Sequence, residues 1–441
     1  MRLIKQNMKH KIPIVWQGFA LSHAGFAEAV RNYILTLDQQ GDFEIKLFPY
    51  DANNIQLEKS RKTKKLLEMC KTQIKERPIW ITETGPMQIH PTIGYSIGLV
   101  VWECIEWPKH FIDNLKKQDE LWTPSNFCKD RMEFYGLKNI HLIPHVLDYK
   151  RFNPQKVKPL RQFIDPSLFK FLSIMGWSER KGVSALLEAY IKEFTKYDNV
   201  LLYIKLSHYD LSKAQGLVNA IRRKIGKKKG NPYIVLDAQT YSWKEIVQLY
   251  RTAHAFVLPS RGEGFGLNFA EAMLMELPTI GLNIPPMIDY MNHNNSYLVA
   301  AGPYVQDKRC DWISPDYPGK TWPVPSIGHL KATMREVYEH YDVAKRKAKQ
   351  ARQDIIAYSA PEVIGPCMAN RLREIWQNMP AWWQSKYNLD HYIGNDDLPF
   401  SSKKSGALKS FISSEQKEKK SERNIAFAQK MKKKFSHKII K

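Results

Sequence analysis

Short apolar runs alternate with helix-period segments along most of this chain, and that alternation constrains the fold before any other feature does. IPIVWQGF reads as a strand, SHAG as a turn, and FAEAVRNYILTLDQQG as a helix with Phe26, Val30, Tyr33, Ile34 and Leu37 at helical spacing and a stop at Gly41. PIWITE, GYSIGLVVWE, LWTP and NIHLIPHVLD continue as strands, with Ser125 capping the helix FCKDRMEFYG. A second series begins near Leu160: strand FKFLSIMGW, helix SALLEAYIKEFTKY, strand NVLLYIKLS, helix AQGLVNAIRRKIG, strand PYIVLDAQ, helix SWKEIVQLYRTA and strand AHAFVLPS. Strands separated by helices pair in parallel through crossovers, so two doubly wound α/β modules facing a central cleft are expected. The stretch from Tyr149 to Pro166 carries three prolines and reads as the linker. Residues 285–325 read as loop, and helices resume at HLKATMREVYEHY.

One stretch carries chemistry. In SRGEGFGLNFAEAMLMELP, Glu263 sits among Gly262, Gly264 and Gly266, and Glu271 follows eight positions later in a helix. AHAFVLPS is a buried strand, so the glycines lie at its carboxyl end, where open α/β sheets bind ligands. Glycines permit close backbone approach, and the following helix start offers unpaired N–H groups and a positive dipole end, which together favour an anion. Carboxylates in the same loop suit hydroxyl donors rather than phosphate. A ligand with a diphosphate in its middle and polyol rings at both ends, which is the shape of a nucleotide sugar, meets both demands. The plain alternative is a flexible loop with two glutamates solvated at a helix start.

The combined motifs resemble glycosyltransferase family 4. PSRGEGFGLNFAEAMLMELP is similar to its E-x7-E signature, FLSIMGWSERKGVSALLEAY to the first strand, phosphate loop and helix of its donor domain, and LIPHVLDYKRFNP and WTPSNFCKDRMEFYG to its interdomain segments. The resemblance spans roughly Ile12 to Tyr338. It implies a GT-B fold: an acceptor-side Rossmann-like domain at 1–157, a nucleotide-sugar donor domain at 158–378, a crossover helix at 379–400 and a basic tail at 401–441. It also implies transfer of a sugar from a nucleotide diphosphate sugar to a hydroxyl, with anomeric retention and with no metal or other cofactor.

By the same resemblance, Glu263 contacts hydroxyls of the transferred sugar and Glu271 the ribose. Gly264, Phe265, Gly266 and Leu267 offer amides, Asn268 helps to select the sugar, and Lys181 with Arg180 binds the diphosphate. Trp177 stands where the family usually has an arginine, so Arg180 is expected to replace it; an ordinary basic loop is the alternative. Ser22, His23, Ala24 and Gly25 occupy the family's N-terminal glycine loop, with only Gly25 kept, and His23 is equally readable as a solvated turn residue. His90 and Glu103, at ends of first-module strands, are the candidates nearest the reacting carbon; His90 is alternatively a structural histidine beside Pro91. His145 replaces the usual asparagine and is expected to be structural.

Charge narrows the partners. The formal net charge is +23, and the last 41 residues hold 13 Lys+Arg against 3 Asp+Glu. Such an excess calls for an anionic partner. KSERNIAFAQKMKKKFSHKIIK reads as a basic amphipathic helix for an anionic membrane, with Arg222, Arg223, Lys224, Lys227, Lys228 and Lys229 as a second cluster; a solvated tail is the alternative. No known nucleic-acid motif interleaves these charges with aromatics, which argues against nucleic acid. Five cysteines with no CxxC pair exclude a zinc ribbon or disulfide scaffold. With no apolar run of bilayer length and no signal-peptide pattern, a cytoplasmic protein is expected, peripheral on the inner membrane face if the tail binds lipid. The expected role is cell-surface polysaccharide synthesis on a glycan or lipid-linked acceptor. Rival readings are an epimerase or phosphorylase on the same fold, or a basic binding protein with an inactive transferase scaffold.

Overall fold

The computed structural model describes residues 11–52, 55–83, 94–160, 165, 167–207, 210–226, 230–313 and 320–384. His90, Lys227 to Lys229, and the 401–441 tail with most of 379–400 lie outside the described residues. The chain divides into two compact units: Met1–Glu83 with Pro91–Ser96 and Arg371–Lys441, and Ile97–Asn370 with a short preceding piece.

In the first unit, β1 (Ile12–Gly18), α1 (Gly25–Asp38), β2 (Phe43–Pro49), α2 (Arg61–Met69) and β3 (Ile79–Glu83) alternate as expected. β1 lies between β2 and β3, parallel to both, pairing Ile12 with Phe43 and Gly18 with Glu83. All seven β1 residues are buried, which is why IPIVW shows no polar alternation. α1 buries Val30, Tyr33, Ile34 and Leu37, and Tyr33 stacks on Trp16. Phe26 departs from expectation: it is 56% exposed, lies in the first turn and meets Phe19 edge-on. Arg373 donates from Nε to Asp42 Oδ2 at 2.8 Å, tying the C-terminal segment to the start of β2.

In the second unit, the part of β4 (Tyr95–Leu99) from Ile97 on, α3 (Lys109–Leu115), β5 (Glu120–Thr123), α4 (Asn126–Phe134) and β6 (Ile140–Leu142) come first. β4, β5 and β6 pair in parallel, and Ser125 caps α4 by accepting from the Cys128 amide. The main sheet follows: β7 (Phe169–Met175), α5 (Val183–Glu193), β8 (Val200–Leu206), α6 (Leu211–Ile225), β9 (Tyr233–Asp237), α7 (Trp243–Thr252), β10 (Ala255–Leu258), α8 (Leu267–Leu274), β11 (Thr279–Leu282) and β12 (Tyr297–Val299). Its order is β12-β11-β10-β7-β8-β9, all parallel. The chain runs outward from β7 to β9 and then returns to β7's other side with β10. The loops leaving β7 and β10 therefore meet at a switch point, where such sheets bind ligands.

The stretch read as loop contains an antiparallel hairpin, β13 (Ala301–Gln306) and β14 (Thr321–Pro325), before α9 (Ile327–Glu339), α10 (Tyr341–Ser359) and α11 (Pro361–Asn378). Phe171, Tyr190, Phe194, Phe256 and Phe269 fill the core around the main sheet.

Candidate functional site

The loop after β7 carries Trp177 and Ser178 into a 3-10 turn, Glu179–Lys181, and then Gly182, the N-cap of α5. Ser178 accepts from the Lys181 amide. Gly182 has φ +73°, and a β-carbon there would stand 2.1 Å from the carbonyl oxygen of Pro259, in the loop after β10. Gly182→Ala is therefore expected to lower stability by at least about 2 kcal/mol through combined strain and overpacking, read as a drop in the urea midpoint with unchanged slope.

The two loops are laced together. Arg261 N donates to Arg180 O at 2.7 Å, and Arg180 Nη1 donates to Gly262 O at 2.7 Å. Lys181 Nζ contacts Glu263 Oε1 at 2.5 Å, and Arg180 Nη1 lies 3.5 Å from Glu103 Oε1. Four predicted residues, 103, 180, 181 and 263, thus converge as two cations between two carboxylates. Burial pushes the Glu263 carboxyl up, but Lys181 and Arg180 outweigh it and hold the group below its ordinary value. Burial, helped by Arg180, drags the Lys181 ammonium below its own. Trp177 is buried in the core.

The glycines are needed for reasons the sequence did not show. A β-carbon on Gly264 would fall 1.8 Å from Val101 Cγ1, and one on Gly262 would meet Trp322 at 2.6 Å and the Glu103 carbonyl oxygen at 2.9 Å. Protein, rather than ligand, fills those spaces. Gly266 has φ +91° and caps α8. The Tyr290 hydroxyl lies 2.8 Å from Phe265 O and 3.0 Å from Gly266 O, pinning the start of α8. Phe265 is buried against His145 and Tyr290, and Leu267 opens the helix.

Glu271 is buried in α8 and accepts from the Tyr250 hydroxyl at 2.9 Å. Asn268 donates its side-chain amide to Ile174 O at 2.7 Å, bridging α8 to β7. Tyr250 and Tyr290 were missed because a phenol 21 or 24 positions from its partner leaves no local pattern.

His145 is buried, as its structural reading expects, and burial pushes its pKa down to about 3. Its folded value lies below its unfolded value of 6.5. The unfolded chain therefore takes up the proton first, and stability present above pH 6.5 is lost as pH falls toward 3. His145→Asn is expected to make the stability loss between pH 6.5 and 4 smaller by about 3 kcal/mol, measured by urea unfolding at both values.

In the first unit, Ser22, His23 and Ala24 form the turn from β1 into α1, and Gly25 begins the helix. Asp51 accepts from the amides of Ala20, Leu21 and Ser22 at 3.0, 2.9 and 2.7 Å, and Gln56 accepts from His23 N at 3.1 Å. Arg31 holds the Ala20 and Ser22 carbonyls while pairing with Glu28. Burial, then Arg31, lowers the His23 pKa. The turn carries its own carboxylate, and neither Asp51 nor Arg31 was singled out from sequence. A carboxylate that ends a strand two residues into the next loop has no spacing signature.

Among the described residues no group of three or more His, Cys, Asp or Glu stands in metal-binding reach, and no helix is long and apolar enough to cross a membrane.

Comparison with known proteins bears on the same region. Residues 167–307 match the family model described as glycosyl transferases group 1. An uncharacterized glycosyltransferase of Sulfolobus islandicus rod-shaped virus 1 is 26% identical over 188 residues, covering 41% of this chain and 53% of the relative. The chain thus spans about half the length of the curated relatives it matches. Among solved structures, sucrose-phosphate synthase from Thermosynechococcus elongatus superposes with a TM-score of 0.62 at 14% identity, covering 84% of this chain and all of that one. A glycosyltransferase from Rickettsia africae gives 0.58 at 15% over the same shares. Anabaena HepE, solved with UDP and glucose, gives 0.56 at 13%, covering 82% of this chain and all of that one. The chain carries two parallel-sheet Rossmann-like α/β domains whose neighbours are GT-B proteins, and the family match over 167–307 supports a glycosyltransferase.

Proposed function

We propose that this protein transfers a sugar from a nucleotide diphosphate sugar to a hydroxyl of a glycan or lipid-linked acceptor, with retention and without metal. The observation that carries the reading is the meeting of Lys181 and Arg180 with Glu263 at the switch point of the main sheet, beside the start of α8. Lys181 and Arg180 neutralise the diphosphate, and charge-assisted bonds of this kind are short and strong in a buried site. Glu263 receives hydroxyls of the sugar, and Glu271, already oriented by Tyr250, receives the ribose. Glu103 steers Arg180 from the far side. In the reaction the anomeric C–O bond to the diphosphate breaks, the acceptor oxygen bonds to the same face, and its proton passes to the departing phosphate oxygen. His90 is retained as a candidate beside the reacting carbon. The basic tail and Arg222 to Lys229 are assigned to an anionic membrane surface, where lipid-linked polysaccharide precursors are built.

The test is nucleotide release from UDP-, GDP- and ADP-sugars with and without oligosaccharide acceptors. UDP-sugars lead the panel because the Anabaena neighbour was solved with UDP and glucose. Acceptor-dependent release from one donor is expected. Conversion of the nucleotide sugar without release of nucleotide would instead mark an epimerase, and a requirement for inorganic phosphate a phosphorylase.

A further inference from the structure

The main sheet is parallel; its last strand, β12, ends at Val299, and α9 begins at Ile327. Yet 25 residues, 301–325, leave and return at one point, where Ser326 N donates to Ala300 O at 3.0 Å. The excursion contains the antiparallel β13–β14 pair and a 3-10 turn at Lys308–Ile313. Its outer strand β13 is largely exposed, whereas Trp322 on β14 is buried among Val100, Trp102 and Cys310. Thr321 donates from its hydroxyl to Glu106 Oε1 at 2.6 Å.

This arm grips both loops of the candidate site from one side. Trp322 stands against Gly262, leaving no room for a β-carbon. Arg261, one residue before Gly262 and 5% exposed, donates from Nε to Pro323 O at 2.9 Å and pairs through Nη1 with Asp307 Oδ2 at 2.5 Å. Its backbone amide is the donor to Arg180 O. On the other loop, Arg309 of the arm pairs with Asp307 at 2.7 Å and lies 3.8 Å from Glu179, next to Arg180. A buried guanidinium bonded on several edges is a rigid connector, since breaking any one bond leaves a charge without solvent.

We propose that the arm formed by 301–313 and 320–325 is a positioning element, and that Arg261 and Asp307 are the positioning residues through which it fixes Glu263 and the Arg180–Lys181 turn. The functional half of this inference rests on the proposed transfer reaction. The arm is not needed to complete the sheet, and its polar bonds converge on the two loops that carry the candidate chemistry. Its effect is to hold Glu263 and the two cations at fixed separation before a ligand arrives, which lowers the cost of ordering them during the reaction.

The test replaces the buried pair as a unit, Arg261→Met with Asp307→Leu, because removing both charges spares the stability that removing one would cost. Asp307→Asn, which keeps the shape, serves as the second variant. Hydrogen exchange is followed in peptides covering 178–182 and 260–267, and donor turnover in the same samples. Faster exchange confined to those peptides is expected, with kcat lowered at least about tenfold and the donor KM held within about twofold. A purely structural contact predicts that activity returns wherever stability does. Unchanged exchange in both variants overturns the inference whatever the activity shows. Faster exchange with intact kcat overturns the positioning role. Wild-type protein inactive on every donor would sink the transfer reading instead, and the exchange data would still decide whether the arm holds the loops.

Discussion

Lys181→Met is expected to lower kcat/KM for the nucleotide sugar by about 10³ and to remove measurable binding of the free nucleoside diphosphate. The expectation follows from where the ammonium sits. Lys181 is held in a 3-10 turn whose start is capped by Ser178 and whose end is fixed by Gly182, so its stem has little freedom to be lost on binding. Its head, with the side chain 15% exposed, lies beside Glu263 and near Arg180. In such surroundings one preorganised donor to a developing anion is worth roughly 10²–10³ in rate, and a full charge more. Methionine keeps the apolar stem and deletes the charge, so the loss is electrostatic rather than a cavity effect. Arg180, already among the groups that hold Glu263 ionised, limits the stability cost. Donor kinetics together with calorimetry of nucleotide binding check it; wild-type affinity in the variant would remove Lys181 from the site.

Glu263→Gln should move binding and turnover in opposite directions. Without ligand, the Lys181 ammonium is committed to the Glu263 carboxylate, and an arriving diphosphate has to share or displace that bond. Glutamine is nearly the same shape but carries no charge, so the competition disappears and the repulsion between carboxylate and phosphate goes with it. Nucleoside diphosphate affinity is expected to rise by about threefold to tenfold, on the order of 1 kcal/mol. Sugar transfer is expected to fall by about 10³, because a neutral amide stabilises charge developing on the sugar far less well than a carboxylate. Tighter nucleotide binding with lost transfer is a signature that general damage to the loop cannot produce. Parallel losses in both would mean that Glu263 only holds Lys181 in place.

Much of the second unit was legible because strand and helix periods differ: FKFLSIMGW, NVLLYIKLS, PYIVLDAQ and AHAFVLPS each became a parallel strand at nearly the expected limits. The convergence of Lys181 with Glu263 crosses 82 positions and has no local signal. It follows instead from topology, since both residues sit in loops leaving β7 and β10, which are neighbours at the point where strand order reverses. The arm was illegible. Its strands contain Gly302, Pro303, Pro323 and Pro325, lack alternation, and pair only with each other, so 285–325 looked like loop. Phe26 shows a further limit of periodicity: helical spacing names a stripe, but Phe26 is exposed while Ala27, beside it in the first turn of α1, is the residue buried there. The glycines of the motif were located correctly, yet the contacts that demand them at 262 and 264 come from Trp322 and Val101, distant in sequence. His90 lies outside the described residues, so its role stands as a proposal.

The most direct measurement is titration calorimetry of UDP, GDP and ADP, each with its nucleoside as the phosphate-free counterpart, into the full chain and into Lys181→Met. At least one of the diphosphates is expected to bind the wild type with a clear heat, its nucleoside at least about 100-fold more weakly, and the variant is expected to reduce that diphosphate to the level of its nucleoside. Equal affinity for every diphosphate and its nucleoside, or undiminished diphosphate binding by Lys181→Met, would contradict the claim that the loops after β7 and β10 form a diphosphate site.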